Sequence, residues 1–222
     1  MKLAQDLELH GLYARGSANL TAAEIEAYEF GDEVKSVTLV GNIGSSYWPI
    51  FSQSGEYLDG RTNPLDRWSR RIAGEIVTRH PVRAIFPFTG PPYYPFLQWA
   101  QRAESLTQSP LGLMIHAEYG LWHSYRFALL MASVAAAAPV PQAGDPCLSC
   151  ETRPCLNTCP VDAFDGNGYA VDRCAAYLKK TPQADCHSRG CLARYACPIA
   201  PGYRYTPQQN QFHLSAFLNP QA

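Results

Sequence analysis

Eight cysteines lie between Cys147 and Cys197, and none precedes them. Thiols packed this densely pair as disulfides, hold zinc or hold an iron–sulfur cluster. Disulfide scaffolds belong to exported chains. Here the N-terminus, MKLAQDLELHG, carries acidic residues where an export signal needs an apolar run. A cytoplasmic chain is therefore expected, in which clustered thiols serve as metal ligands.

Spacing bears on which metal. Cys147, Cys150, Cys155 and Cys159 follow one another with gaps of two, four and three residues, and Pro160 comes next. The bacterial ferredoxin run is similar, with a shorter middle gap, and also closes on Cys-Pro. The second half supplies Cys174, Cys186, Cys191 and Cys197, again followed by a proline, Pro198. A two-residue gap curls the chain around one face of a cubane, so that neighbouring sulfurs reach neighbouring irons. The proline then stops the local turn from continuing. Zinc sites use well-separated short pairs and have no need of a proline after a ligand. The irregular second half, with gaps of eleven, four and five, keeps zinc open as the alternative.

Two 4Fe–4S clusters are the expectation. In two-cluster ferredoxins the fourth cysteine of a run serves the other cluster. That rule groups Cys147, Cys150 and Cys155 with Cys197, and Cys159 with Cys174, Cys186 and Cys191.

The rest of the chain must position these ligands. Its 222 residues suffice for one substantial domain plus a small appended module. The expected class is α+β: a mixed α/β sheet domain over residues 1–138, then a small ferredoxin-like 4Fe–4S module over 139–222. The proline- and glycine-rich stretch Ala135–Pro146 is the expected linker. Strands are predicted at Val34–Asn42, Val82–Phe88, Leu111–His116 and Ser124–Ser133, the last two around a turn at Gly120. A helix is predicted after Asn63 as N-cap and Pro64, with Leu65, Trp68, Ile72 and Ile76 at helical spacing. Another is predicted over Tyr93–Leu106, and Thr21 with Glu24 fits a capping box. The aromatic, proline-rich stretch Phe86–Trp99 reads equally as a wall for a planar cofactor or as a loop packed into the core.

With these residues in view, two resemblances emerge. The cysteine region resembles the double-cluster module of epoxyqueuosine reductases. There a run ending in Cys-Pro precedes an Arg-Cys-x-x-Tyr-Leu element, matched here by Asp172–Leu178, and then three more cysteines. The distribution of ligands in that family agrees with the grouping above, although the spacings around Cys155, Cys191 and Cys197 depart from its pattern. The first domain resembles the CblC-type cobalamin-processing proteins, whose fold is a modified flavin nitroreductase. The stretches that carry this are Leu39–Phe51, Asn63–Ile72 and Gly112–Leu130. In the last, Gly112, His116, Tyr119, Gly120, Trp122 and Arg126 match, whereas Ala117 and Leu121 depart.

This second resemblance implies a cofactor pocket of Gly112, His116, Tyr119, Trp122 and Arg126. The glycine would lie against cobalamin, and the arginine would help to bind a thiol co-substrate. Physically, a glycine permits a flat corrin to approach the backbone, and a guanidinium suits a carboxylate. The plainer alternatives are a glycine at a bulge, a half-buried histidine and an arginine in a salt bridge. Cobalamin, or else flavin, is the small-molecule cofactor implied.

The leading expectation is thus an iron–sulfur redox protein that passes electrons through two clusters to a cofactor in its first domain. A ferredoxin-type carrier with a non-catalytic scaffold and an epoxyqueuosine-reductase-like enzyme are the alternatives. Lys plus Arg total 18 against 19 for Asp plus Glu, which gives no electrostatic reason to expect a nucleic-acid partner. The most apolar stretch, Ala128–Val140, is 13 residues and too short to span a membrane. No glycine-rich dinucleotide fingerprint is present, so no NAD site is expected.

Overall fold

The structure, a computed structural model, describes residues 2–136, 144–166 and 168–219. Along the chain run α1 (Lys2–Glu8), β1 (Tyr13–Asn19), α2 (Ala22–Ala27), β2 (Ser36–Ile43), α3 (Trp48–Phe51), α4 (Gly55–Leu58), α5 (Pro64–Arg79), β3 (Arg83–Ile85) and α6 (Phe96–Ala103). There follow β4 (Leu106–Gln108), β5 (Met114–His116), β6 (His123–Met131), α7 (Pro154–Asn157), α8 (Val171–Lys180), α9 (Asp185–Arg189), α10 (Leu192–Tyr195) and α11 (Pro207–Leu218). The result is a mixed α+β protein with an antiparallel sheet and a cysteine-rich helical region. Two compact units are formed: Met1–Ser105 with Ser124–Gln142, and Leu106–His123 with Ala143–Ala222. The boundary expected at 138/139, and the middle of the expected linker, lie outside the described residues. Nothing in the sequence signals that residues 106–123 group with the second unit.

In the first unit the strand order is β1-β2-β6-β3, with β1 antiparallel to β2 and β3 antiparallel to β6. The β-branched run of β2 is buried from Ser36 to Asn42, as a strand covered on both faces requires. Helix α5 turns Leu65, Trp68, Ile72 and Ile76 inward at the predicted spacing. Its exposed face pairs Arg67 with Asp59 at 2.7 Å and Arg71 with Glu56 at 2.6 Å. Asn63 occupies the cap position but in the left-handed region, φ 52°, and its side chain makes no capping bond. The Thr21 capping box is complete: the Thr21 hydroxyl accepts from Glu24 N at 3.2 Å, and the Glu24 carboxylate accepts from Thr21 N at 2.9 Å.

Several predicted elements are shorter than the sequence suggests. The strand after Val82 stops at Ile85, because Phe86–Thr89 closes a turn. The helix expected over 93–106 begins only after Pro95 and ends at Ala103, where Glu104 is pulled into an extended conformation. The cause is β1. Its register with β2 slips between Ala14 and Gly16, a bulge at Arg15 that re-aims the side chain. Arg15 then donates to both carboxylate oxygens of Glu104, at 2.9 and 3.2 Å, and to the Asn42 carbonyl at 2.9 Å. Tyr125 donates its hydroxyl to the same carboxylate. A Cβ at Gly16 would lie 2.7 Å from the Ala103 carbonyl oxygen, so only glycine admits this approach of strand and helix end.

In the second unit β4 and β5 form an antiparallel hairpin, Leu106 opposite His116. Residues 111–113, expected as strand, make its loop, with Gly112 at φ 74°. Short helices follow, and their cysteines sit around a core of Leu111, Ile115, Leu121, Ala163, Phe164 and Ala193. Among the described residues no helix is long and apolar enough to cross a membrane.

Candidate metal centre

Each thiol is placed by local geometry. Asp145 accepts from Cys147 N at 2.8 Å and from the Thr107 hydroxyl at 3.1 Å through the same oxygen, which ties the first cysteine loop to β4. Cys155 lies in α7, entered through Arg153 in a left-handed conformation, φ 38°. The Cys159 sulfur accepts from Ala163 N at 3.3 Å. Cys174 lies in α8, Cys186 in α9, and Cys191 stands at the N-cap of α10. All eight are free thiols.

They line two cavities of the second unit, four to each. Cys147, Cys150, Cys155 and Cys197 line one of about 20 Å³, walled by Leu111, Ile115 and Leu121. Cys159, Cys174, Cys186 and Cys191 line another of about 190 Å³, walled by Phe164, Tyr169, Trp122 and Leu178. This division is the same as the one the crossing rule gives. Cys155 and Cys159 are one helical turn apart in sequence and face different cavities.

The thiol chemistry follows from this setting. Burial pushes the Cys147 thiol up to about 11, helped by the Asp145 carboxylate and the neighbouring thiols. Burial likewise raises Cys155, Cys186, Cys191 and Cys197, while backbone N–H groups aimed at their sulfurs work in the opposite direction. Tyr169 donates its hydroxyl to Cys174, and burial with that bond raises the phenol well above its ordinary range. Raised thiols are protonated at neutral pH, and a metal binds only by displacing those protons. Uptake of iron and sulfide by the metal-free protein should therefore speed up as pH rises from about 7 to about 9. Anaerobic reconstitution followed by absorbance measures this, and a rate flat across that range would contradict it.

The five residues of the implied cofactor pocket fall in both units, four in the second and Arg126 in the first. Gly112, in the hairpin loop, has nothing within 4 Å of where a Cβ would stand. The His116 Nδ1 accepts from Glu118 N at 3.0 Å and Tyr119 N at 3.2 Å, so the neutral ring carries its proton on Nε2. Tyr119 stacks on that ring, centroids 4.4 Å apart. Trp122 is buried against Tyr195 and Tyr205 on the wall of the larger cysteine cavity. Arg126 belongs to the first unit, where it donates to Asp66 at 2.9 Å and Ser69 at 3.3 Å. A co-substrate carboxylate would have to share the guanidinium with Asp66.

The aromatic stretch Phe86–Trp99 packs part of its rings on its own unit and leaves Gly90–Tyr93 and Leu97 exposed. Phe96 and Trp99 are buried, Tyr94 stacks on Trp99 and Phe30, and Arg70 lies over Phe86 and Phe88. Sequence reasoning passed over Ser109, Tyr169 and Arg194, which line the cavities alongside the cysteines. The available signal was position: Tyr169 and Arg194 lie within a few residues of a cysteine.

No protein-family model matches the chain, and no curated protein matches it in sequence. Solved structures do share its fold. An epoxyqueuosine reductase bound to an epoxyqueuosine-modified tRNA-Tyr stem loop superposes with a TM-score of 0.54 at 15% identity, over 95% of this chain and 67% of that one. The Bacillus subtilis epoxyqueuosine reductase gives 0.52 at 14% identity over 95% and 67%. The Streptococcus thermophilus enzyme gives 0.50 at 14% over 92% and 67%.

Proposed function

We propose that the chain is an iron–sulfur oxidoreductase of the epoxyqueuosine-reductase type, with two 4Fe–4S clusters and a cobalamin as their electron acceptor. The observation that carries this reading is the division of eight thiols, four and four, between two apolar-walled cavities. The fold shared with epoxyqueuosine reductases supports it over a simple ferredoxin-type carrier. Cys147, Cys150, Cys155 and Cys197 would hold one cluster, and Cys159, Cys174, Cys186 and Cys191 the other. Among the described residues no three His, Cys, Asp or Glu side chains gather tightly enough for a single ion. Four thiols spread around a space suit the separate irons of a cubane better than one tetrahedral zinc. The smaller cavity must widen to take its cluster, and in the segment Ser149–Arg153 beside it all but the half-buried Cys150 are exposed.

Such clusters supply low-potential single electrons. The chain's own part is to exclude water with Leu111, Ile115, Leu121 and Phe164, and to aim backbone N–H groups at the ligand sulfurs. The near-balance of charge favours a nucleoside-sized substrate over a polyanion, which a cationic face would be needed to grip. Saturable binding of a tRNA stem loop at physiological salt would reverse that preference.

Anaerobically purified protein should be brown and contain about eight irons and about eight labile sulfides per chain. Stoichiometric zinc without sulfide would end the reading. The visible spectrum of the same sample separates cobalamin from flavin. Gly112 supplies the test of the corrinoid: it has open space above it, and aspartate, though strained there, is among the side chains that enter its left-handed backbone most readily. Gly112→Asp should therefore fold, keep its iron and bind cobalamin at least tenfold more weakly, on the order of the cost of desolvating a carboxylate. Equal titration curves for the two proteins would move the site elsewhere, and no saturable binding by either would remove cobalamin from the proposal.

A further inference from the structure

Three polar groups on the walls of the cysteine cavities are buried without a partner. Trp122 Nε1 and Arg194 Nε border the cavity of Cys159 and Cys174, and Ser109 Oγ borders that of Cys147 and Cys197. Trp122 is 1% exposed and Ser109 5%, so bulk solvent does not satisfy them. Their neighbours do not either. Trp122 meets Tyr195 and Tyr205 edge to face, at 6.3 and 5.5 Å between centroids. The Arg194 guanidinium lies 4.7 Å from the Trp122 ring and 4.6 Å from the Tyr205 ring, and gives one Nη to the Leu121 carbonyl. Its charge is met by π faces rather than by a carboxylate. A fold that buries donors unpaired beside four thiols has left them for an acceptor that those thiols bring.

We propose that Trp122 and Arg194 donate hydrogen bonds to the sulfurs of the cluster held by Cys159, Cys174, Cys186 and Cys191, and thereby raise its potential. The proposal rests on the two-cluster reading above. Reduction adds one electron to a cluster, and negative charge grows on its sulfurs. N–H donors and a nearby guanidinium stabilise that added charge, so they raise the potential. The other cavity has its own set: the Ser109 hydroxyl and Arg153 line it, and Arg204 donates to the Cys197 carbonyl at 3.4 Å. Trp122 is thus assigned to tuning a cluster instead of contacting a corrin.

Anaerobic potentiometric titration of the whole chain, followed by electron paramagnetic resonance, tests this. Trp122→Phe keeps an aromatic ring and removes the N–H. It should lower the midpoint of the cluster ligated by Cys159 and leave the other midpoint and the iron content unchanged. Arg194→Gln, which removes the charge, should lower the same midpoint, and Ser109→Ala should lower only the other. Should Trp122→Phe fail to fold, the Arg194→Gln titration decides. The inference is overturned if neither variant moves the midpoint of the Cys159 cluster while both clusters remain. Iron and sulfide analysis of the same samples keeps this failure distinct from that of the two-cluster reading, which absent clusters would sink along with it.

Discussion

Cys159→Ser should strip one cluster from the protein and leave the other in place. Its sulfur borders the cavity of Cys174, Cys186 and Cys191, and it accepts from Ala163 N at 3.3 Å. A serine hydroxyl is a hard, protonated oxygen where a soft thiolate is needed. Iron should fall from about eight to about four per chain, with the loss confined to one of two reduced paramagnetic signals. Cys147→Ser, made in parallel, should remove the other signal. The contrast is informative because Cys155 and Cys159 belong to one short run yet face different cavities. If Cys159→Ser and Cys147→Ser extinguish the same signal, the division of ligands is wrong.

The largest stability effect should come from Glu104→Ala in the first unit. Arg15 and Glu104 have side chains only 1% and 6% exposed, and the pair is bonded twice. Removing the carboxylate takes the counter-ion from a buried guanidinium and one acceptor from the Tyr125 hydroxyl, which burial and Glu104 keep protonated. The expected cost is about 3–5 kcal/mol, read as a lowered midpoint of denaturant unfolding in the cluster-loaded protein. Replacing both partners with apolar residues, Arg15→Met with Glu104→Leu, should cost less than Glu104→Ala alone, since no charge is then stranded. A loss below about 1 kcal/mol for Glu104→Ala would mean that the pair behaves as an exposed one.

How far the sequence reveals this structure depends on how local the cause is. Helix α5 was legible because its apolar positions repeat every turn, and β2 because a β-branched run is buried on both faces. The Thr21–Glu24 box needed only four residues to be read. Strand β1, by contrast, reads YARGSAN, with little apolar alternation, and its bulge serves a partner 89 positions away. The same distant partner ends α6 early, which no helical periodicity could reveal. Asn63 shows a residue type matching its position but not its expected role, since its left-handed backbone leaves its side chain no capping bond to make. At the candidate centre, the grouping of cysteines could be read from their spacing. The donors could not, because Ser109, Trp122 and Arg194 reach the cavities through folding and not through any motif.

Residues 106–123 leave a mark of another kind. They supply Leu111, Ile115 and Leu121, against which Cys147, Cys155, Cys159, Cys174 and Cys191 pack. They also supply Thr107, which holds the loop of Cys147 through Asp145. The cysteine segment is therefore no cassette that recombination could lift out at the linker and graft elsewhere. A crossover there would carry away every cysteine and strand three of the apolar residues beneath them, so inheritance of the cysteine-rich part is bound to inheritance of the hairpin upstream.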